Sequence, residues 1–177
     1  WTNSSLNFQL ATPDKPLCTP FGASAYNDPQ ATRKTIGFRV HEELEASLSN
    51  VDAYMSDYIA KRSNRLFKGK QMTYKPLLQL IEDYTALFRA KINTGGSKAC
   101  KFWTPQYGRC DPPQNLRGCG LIPIVCCRSL WIMGSECGIT VDATDLLCDT
   151  GAEECPLLRQ MHSLLELNAQ TSARSDV

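Results

Sequence analysis

The pattern of apolar and polar positions along the chain predicts a mainly α protein. Over residues 39–66 the apolar positions Leu44, Leu48, Val51, Met55 and Tyr58 recur at spacings of four, three, four and three, a narrow seam of period near 3.5. Glu42, Glu43 and Glu45 stand at its start and Lys61, Arg62 and Arg65 at its end, the order that the helix dipole favours. Over residues 74–93, Leu77, Ile81, Tyr84 and Phe88 repeat that spacing after Thr73 and Pro76, and Leu78, Leu80 and Leu87 widen the face. Gly69 lies in the connection, so the two segments are expected to fold back as a helical hairpin. A last helix is expected from Pro156 to about Leu167, with Leu157, Leu158, Met161, Leu164 and Leu165 on its core face.

Four regions follow from this pattern. Residues 1–35, with Pro13, Pro16, Pro20 and Pro29 among Asn, Thr and Ser, read as an irregular N-terminal arm. Residues 36–98 hold the hairpin, 99–155 a cysteine-rich stretch of turns around the apolar segment 121–133, and 156–177 the C-terminal helix and tail.

Cysteine usage then sharpens the picture. There are nine: Cys18, Cys100, Cys110, Cys119, Cys126, Cys127, Cys137, Cys148 and Cys155. A chain of this length can bury a core without covalent help, so such density argues for a disulfide framework and an oxidising compartment. No Cys-x-x-Cys spacing occurs, and the two histidines, His41 and His162, lie far apart, which speaks against zinc or a thioredoxin-like pair. The vicinal pair Cys126-Cys127 is expected to knit two different segments, because bonding to each other would strain the peptide between them. Nine is odd, so one thiol is left over, with Cys18 the isolated one. In CKFWTPQYGRC, residues 100–110, a Cys100–Cys110 staple would hold Trp103 and Tyr107 in a ring as rigid contact anchors.

Charge separates partner classes. The net charge of +1 argues against a general nucleic-acid or membrane-surface role. Lys61, Arg62, Arg65, Lys68, Lys70 and Lys75 nevertheless form a run with no acidic residue between Tyr58 and Ile81, a candidate dock for an acidic protein or anionic polymer at the hairpin tip. No apolar stretch is long enough to span a membrane as a helix, the most apolar run (121–127) stopping at Arg128. The chain begins with Trp1, which suggests a removed leader.

The sequence offers no active site. Nucleophile-elbow, phosphate-loop and His-Glu-x-x-His motifs are all missing, and His41 beside Glu42 and Glu43 reads as a solvated helix start. Asp142 and Asp145 have the look of a metal pair, but helix capping before Leu146-Leu147 accounts for them equally well.

Residues 84–110, YTALFRAKINTGGSKACKFWTPQYGRC, resemble the central segment of the photosystem I lumenal subunit N family. Ala86, Phe88, Arg89, Ala90, Cys100, Lys101, Phe102 and Cys110 carry the likeness, and Asp145-Leu146-Leu147-Cys148 with Cys155 correspond to the family's last cysteines. The resemblance implies a non-catalytic subunit of the thylakoid lumen, docked on the photosystem near a small acidic electron carrier. Taken together, these readings lead to the expectation of a disulfide-stabilised, non-enzymatic module without cofactor or metal. It would dock onto a larger protein complex or a cell-surface protein, in the lumen or outside the cell, with no nucleic-acid partner. The alternative expectation is a secreted helical carrier of a hydrophobic ligand, with 121–133 and the last helix lining its cavity.

Overall fold

The structure, a computed structural model, describes residues 7–25, 28, 30–81, 84–105, 108–113 and 115–149. Its framework is β-sheet, and the reason is visible in two strands. In β4 (Arg33–Arg39) Ile36 and Phe38 are fully buried, while Arg33, Thr35, Gly37 and Arg39 alternate onto the other face. In β7 (Tyr84–Asn93) Ala86, Phe88, Ala90 and Ile92 point inward and Arg89 and Lys91 outward. The strands pair antiparallel with Ile36 opposite Ala90 and Phe38 opposite Phe88, whose rings stack with centroids 6.4 Å apart. Burying a side chain of this size stabilises by about 1.5–3 kcal/mol.

Around this pair the remaining strands close a ring. β2 (Leu17–Cys18) pairs with β4 and, on its other edge, with β10 (Gly120–Met133). β10 forms a long antiparallel ribbon with β11 (Glu136–Asp149), and β11 returns to β7 in parallel at Asp142 and Lys91. The circuit β2–β4–β7–β11–β10–β2 is therefore closed, a small barrel filled by Leu17, Ile36, Phe38, Phe88, Phe102, Leu121, Val125 and Leu146. Shorter strands extend it. β1 (Asn7–Gln9) lies along β10, β3 (Ala23–Ser24) along β4, β5 (Thr73–Tyr74) along β11 and β6 (Leu78–Ile81) along β7. β8 (Lys101–Thr104) pairs with β11 and with β9 (Gly108–Cys110).

The one helix among the described residues, α1 (Glu42–Leu66), joins β4 to β5. His41 caps it, its ring Nδ1 accepting from the Leu44 N–H at 3.3 Å. Its buried face is Leu48, Asp52, Ile59 and Ser63, while Val51 and Tyr54 are exposed. Asp52 is tolerated there because its carboxylate accepts from the Tyr74 hydroxyl (2.8 Å) and from the Leu77 (2.8 Å) and Leu78 (3.1 Å) N–H groups. That one side chain ties the helix to the segment leading into β6.

The mainly α expectation is overturned. The first helix is present, but the seam turns about the axis, Val51 giving way to Asp52 and Ser63, because the helix packs on strand edges and not on a second helix. The expected hairpin partner, 74–93, is strands β5, β6 and β7. Leu77, Ile81, Tyr84 and Phe88 fit a helical period, yet the alternation Ala86, Phe88, Ala90, Ile92 decides, since residues flanking it pair on both sides. The arm 1–35 is not irregular throughout: Leu17 and Thr19 are buried and β2 closes the barrel. The stretch 99–155 holds four strands through residue 149. The C-terminal helix expected at 156–177 lies outside the described residues.

The disulfide framework is corrected too. Cys18, Cys100, Cys110, Cys119, Cys126, Cys127, Cys137 and Cys148 are all free thiols, and Cys155 lies outside the described residues. Cys126 and Cys127 occupy successive strand positions, so one side chain is buried and the other exposed. Cys100, Cys126, Cys137 and Cys148 serve as small apolar core residues. The loop between Cys100 and Cys110 is closed by a backbone ladder pairing Phe102 with Cys110 and Thr104 with Gly108. Free thiols take away the cysteine argument for an oxidising compartment, and the disulfide-stapled docking subunit goes with it. The alternative of a helical carrier is corrected as well, because 121–133 is a barrel strand and α1 is the one helix among the described residues.

Candidate nucleic-acid interface

The barrel leaves one face of β4 and β7 open over much of its length, with Leu87 covered at one end. On it the outward side chains pair across the strands: Arg33 with Asn93, Thr35 with Lys91, Gly37 with Arg89 and Arg39 with Leu87. Lys91 donates from Nζ to Thr35 Oγ1 at 2.7 Å, which holds the ammonium against the sheet. Among the described residues, neither Arg89 nor Lys91 is paired with a carboxylate. Both charges are thus available to an anion.

Two adjoining grooves run over this face and share Thr35 and Arg89. The larger, about 390 Å³, is lined by Thr35, Lys75, Leu77, Gln79, Arg89, Lys91, Trp131 and Thr140. The smaller, about 290 Å³, continues past Gly37 and Leu87 to Phe21, Gly22 and Ser24. Lys75 is tied to Glu136 at 2.7 Å, so its charge is partly spent within the wall.

An aromatic ring stands at each end. Phe21 is 52% exposed. Its loop is pinned by buried Thr19, whose hydroxyl donates to the Leu116 carbonyl and whose N–H donates to Cys119 O at 3.0 Å. Gly22 turns the chain at φ +67° with the Arg117 backbone close beneath, where a side chain would crowd. At the other end Trp131 projects from the β10–β11 ribbon, which is closed by the two-residue loop Gly134-Ser135, Gly134 at φ +61°. Beside the grooves Asp142, nearly buried, accepts from Arg33 (2.8 Å) and Arg128 (3.3 Å).

The residues singled out from sequence are placed mostly elsewhere. Lys61, Arg62 and Arg65 belong to α1: Lys61 pairs with Asp57 at 2.8 Å, and the Arg62 guanidinium lies 4.4 Å over the Tyr58 ring. Lys68 follows the helix at φ +53°, and Lys70 donates to Gly134 O at 2.5 Å. None of these five lines the grooves; of the basic run only Lys75 does. Trp103 packs back, its indole N–H donating to Asp145 at 3.0 Å, and Tyr107 lies outside the described residues. Asp142 and Asp145 are strand residues and not helix caps, and no group of three or more His, Cys, Asp and Glu suited to a metal occurs among the described residues. Phe21, Arg89, Lys91 and Trp131 were missed as site residues. Their signal was the outward period-2 pattern Arg89, Lys91 beside inward Ala90, Ile92, which the helical reading concealed.

Numbered within the ring, β2, β4, β7, β10 and β11 follow the order 1-2-3-5-4-1 with the third and fifth parallel. That is the topology of the OB fold, whose second and third strands and whose loops between strands 1–2 and 4–5 form the usual ligand face. Phe21 lies in the first of those loops and Trp131 at the second. No protein-family model and no curated protein sequence matches the chain. Among solved structures it is similar to gp2.5, a single-stranded DNA binding protein encoded by bacteriophage T7, with TM-score 0.59 and 9% identity over 82% of this chain and 86% of that one. Identity that low shows the fold alone. The cationic face and this structural neighbour overturn the expectation of no nucleic-acid partner, which was drawn from net charge: a net charge near zero conceals a local cationic groove.

Proposed function

We propose that this protein binds single-stranded nucleic acid, with DNA the first class to test, along the open β4–β7 face. The observation that carries the proposal is the placing of Arg89 and Lys91, unpaired with carboxylates, between Trp131 and Phe21. Cations spaced along a groove attract phosphates, and rings at its ends offer flat apolar surface on which unpaired bases stack. Duplex DNA has its bases stacked inside and gains only the phosphate part of this. The OB-like strand order and the name of the structural neighbour agree with the reading. The groove supplies charge and rings, so we read it as a surface that binds rather than one that turns over a substrate.

The test is anisotropy titration of fluorescein-labelled oligo-dT, of its duplex and of oligo-rU. The wild-type chain should prefer the single strands, and log Kd should change with log salt by roughly 0.7 for each phosphate contact. Arg89→Glu with Lys91→Glu should weaken binding by more than tenfold and flatten the salt dependence by about 0.7 for each lost contact. Equal affinity for duplex and single strand, or no response to this charge reversal, would overturn the proposal.

A further inference from the structure

We infer that Gly138 is a positioning residue for base recognition: by having no side chain it lets the Trp131 indole lie close against β11, where the ring lines the groove. The inference rests on the single-strand reading above and adds to it where discrimination between unpaired bases and duplex resides.

Trp131 and Gly138 are direct cross-strand partners in the ribbon. A Cβ built on Gly138 would lie 2.7 Å from Trp131 Cζ2 and 2.8 Å from both Cε2 and Nε1, contacts that real Cβ atoms do not make. These three bonded atoms are one rim of the ring system, so the Nε1–Cε2–Cζ2 rim of the indole lies against the glycine. Backbone conformation gives no other reason for glycine here. Gly22, Gly69, Gly96, Gly108, Gly118 and Gly134 take positive φ, whereas Gly138 does not. The ring alone requires it.

The consequence is a platform. An indole lying free would lose rotamer freedom whenever a base stacked on it, whereas one already held against a strand has little left to lose. The same seat fixes its height above Lys91 and Thr140, which line the groove with it. Any side chain at 138 would lift the ring off the strand and into the space that a base occupies.

The experiment is a double-mutant cycle on the full chain with Trp131→Ala, Gly138→Ala and both together. It is read by oligo-dT and duplex titrations, by quenching of tryptophan emission and by the urea unfolding midpoint. Wild-type emission should be quenched by oligo-dT, and that component should vanish in W131A. W131A should weaken oligo-dT binding roughly tenfold, the scale of one stacked base, with weak duplex binding and the salt slope unchanged. G138A should show a similar loss, and the double variant should lose no more than either alone, because without the indole the new methyl strikes nothing. If G138A folds poorly, W131A/G138A should recover the unfolding midpoint of W131A. Additive losses, no recovery in the double variant, or undiminished oligo-dT affinity in W131A would overturn the inference while leaving a salt-dependent single-strand binder. Failure of the wild-type chain to bind any oligonucleotide would instead remove the parent reading, and the role of Gly138 in recognition with it.

Discussion

At the scale of single residues, two buried polar environments yield direct tests. Asp52 satisfies three donors at once, the Tyr74 hydroxyl and two backbone N–H groups. Burial, and after it the Asp52 carboxylate, pushes the Tyr74 hydroxyl well above the usual phenol range. Asp52→Ala would orphan all three donors and should cost roughly 3–5 kcal/mol, read as a lower urea midpoint at unchanged slope. Asp52→Asn keeps an acceptor oxygen and should cost less than half as much. The second environment is that of the buried thiols. Burial, with help from Asp145 and Cys148, raises Cys100 from 9.0 to about 12. Burial, with Cys110 and Cys119 nearby, raises Cys148 to about 11. A thiol harder to ionise folded than unfolded adds a stability that is whole below the unfolded pKa and fades as pH climbs through the folded one. Between pH 9 and 12 stability should therefore fall, and Cys148→Ala should shallow that decline even though it lowers stability at pH 7.

Elements decide how those residues are used. β7 illustrates how a strand can pass for a helix: both its faces contact protein at Leu87 and Phe88, so apolar residues fall at 3.5-like spacings as well as alternately. α1, by contrast, was legible, because its capping, its charge order and its length agree locally with a helix. Its cations Lys61, Arg62 and Arg65 do not line the grooves, and exposed charge on a helix end is mostly solvated. Arg62→Ala and Arg65→Ala should accordingly change oligo-dT affinity much less than Arg89→Ala, a comparison made in one titration series. In the ribbon, the Gly134-Ser135 loop needs positive φ at its first position. Gly134→Val should cost about 1 kcal/mol and weaken single-strand binding through the displaced Trp131, both visible in unfolding and in anisotropy.

At the scale of the whole molecule, barrel closure brings together residues far apart in the chain. Phe21, Arg89 and Trp131 meet only because β2 joins β10 and β11 returns to β7. A ligand that binds this assembled face and not the unfolded chain must stabilise the fold. At a hundredfold excess over Kd, oligo-dT should add about 2.7 kcal/mol. For a chain of this size that corresponds to a rise in Tm of roughly 5–10 °C. The shift should shrink as salt increases and be much smaller with duplex, which differential scanning calorimetry would resolve.

By itself the sequence determined what nearest neighbours decide: a helix over 39–66 with acid first and base last, glycine turns, and no catalytic motif. It also showed nine cysteines, but thiol density reports a compartment only when the sulfurs meet, and neighbouring strand positions point Cys126 and Cys127 to opposite faces. The features that waited on folding were non-local. Strand pairing depends on partners separated by scores of residues, so the period of a short apolar run does not identify it until its neighbours are in place. The cationic face exists for the same reason: a net charge of +1 averages over the chain, whereas an anion feels the field of the side chains that folding sets side by side.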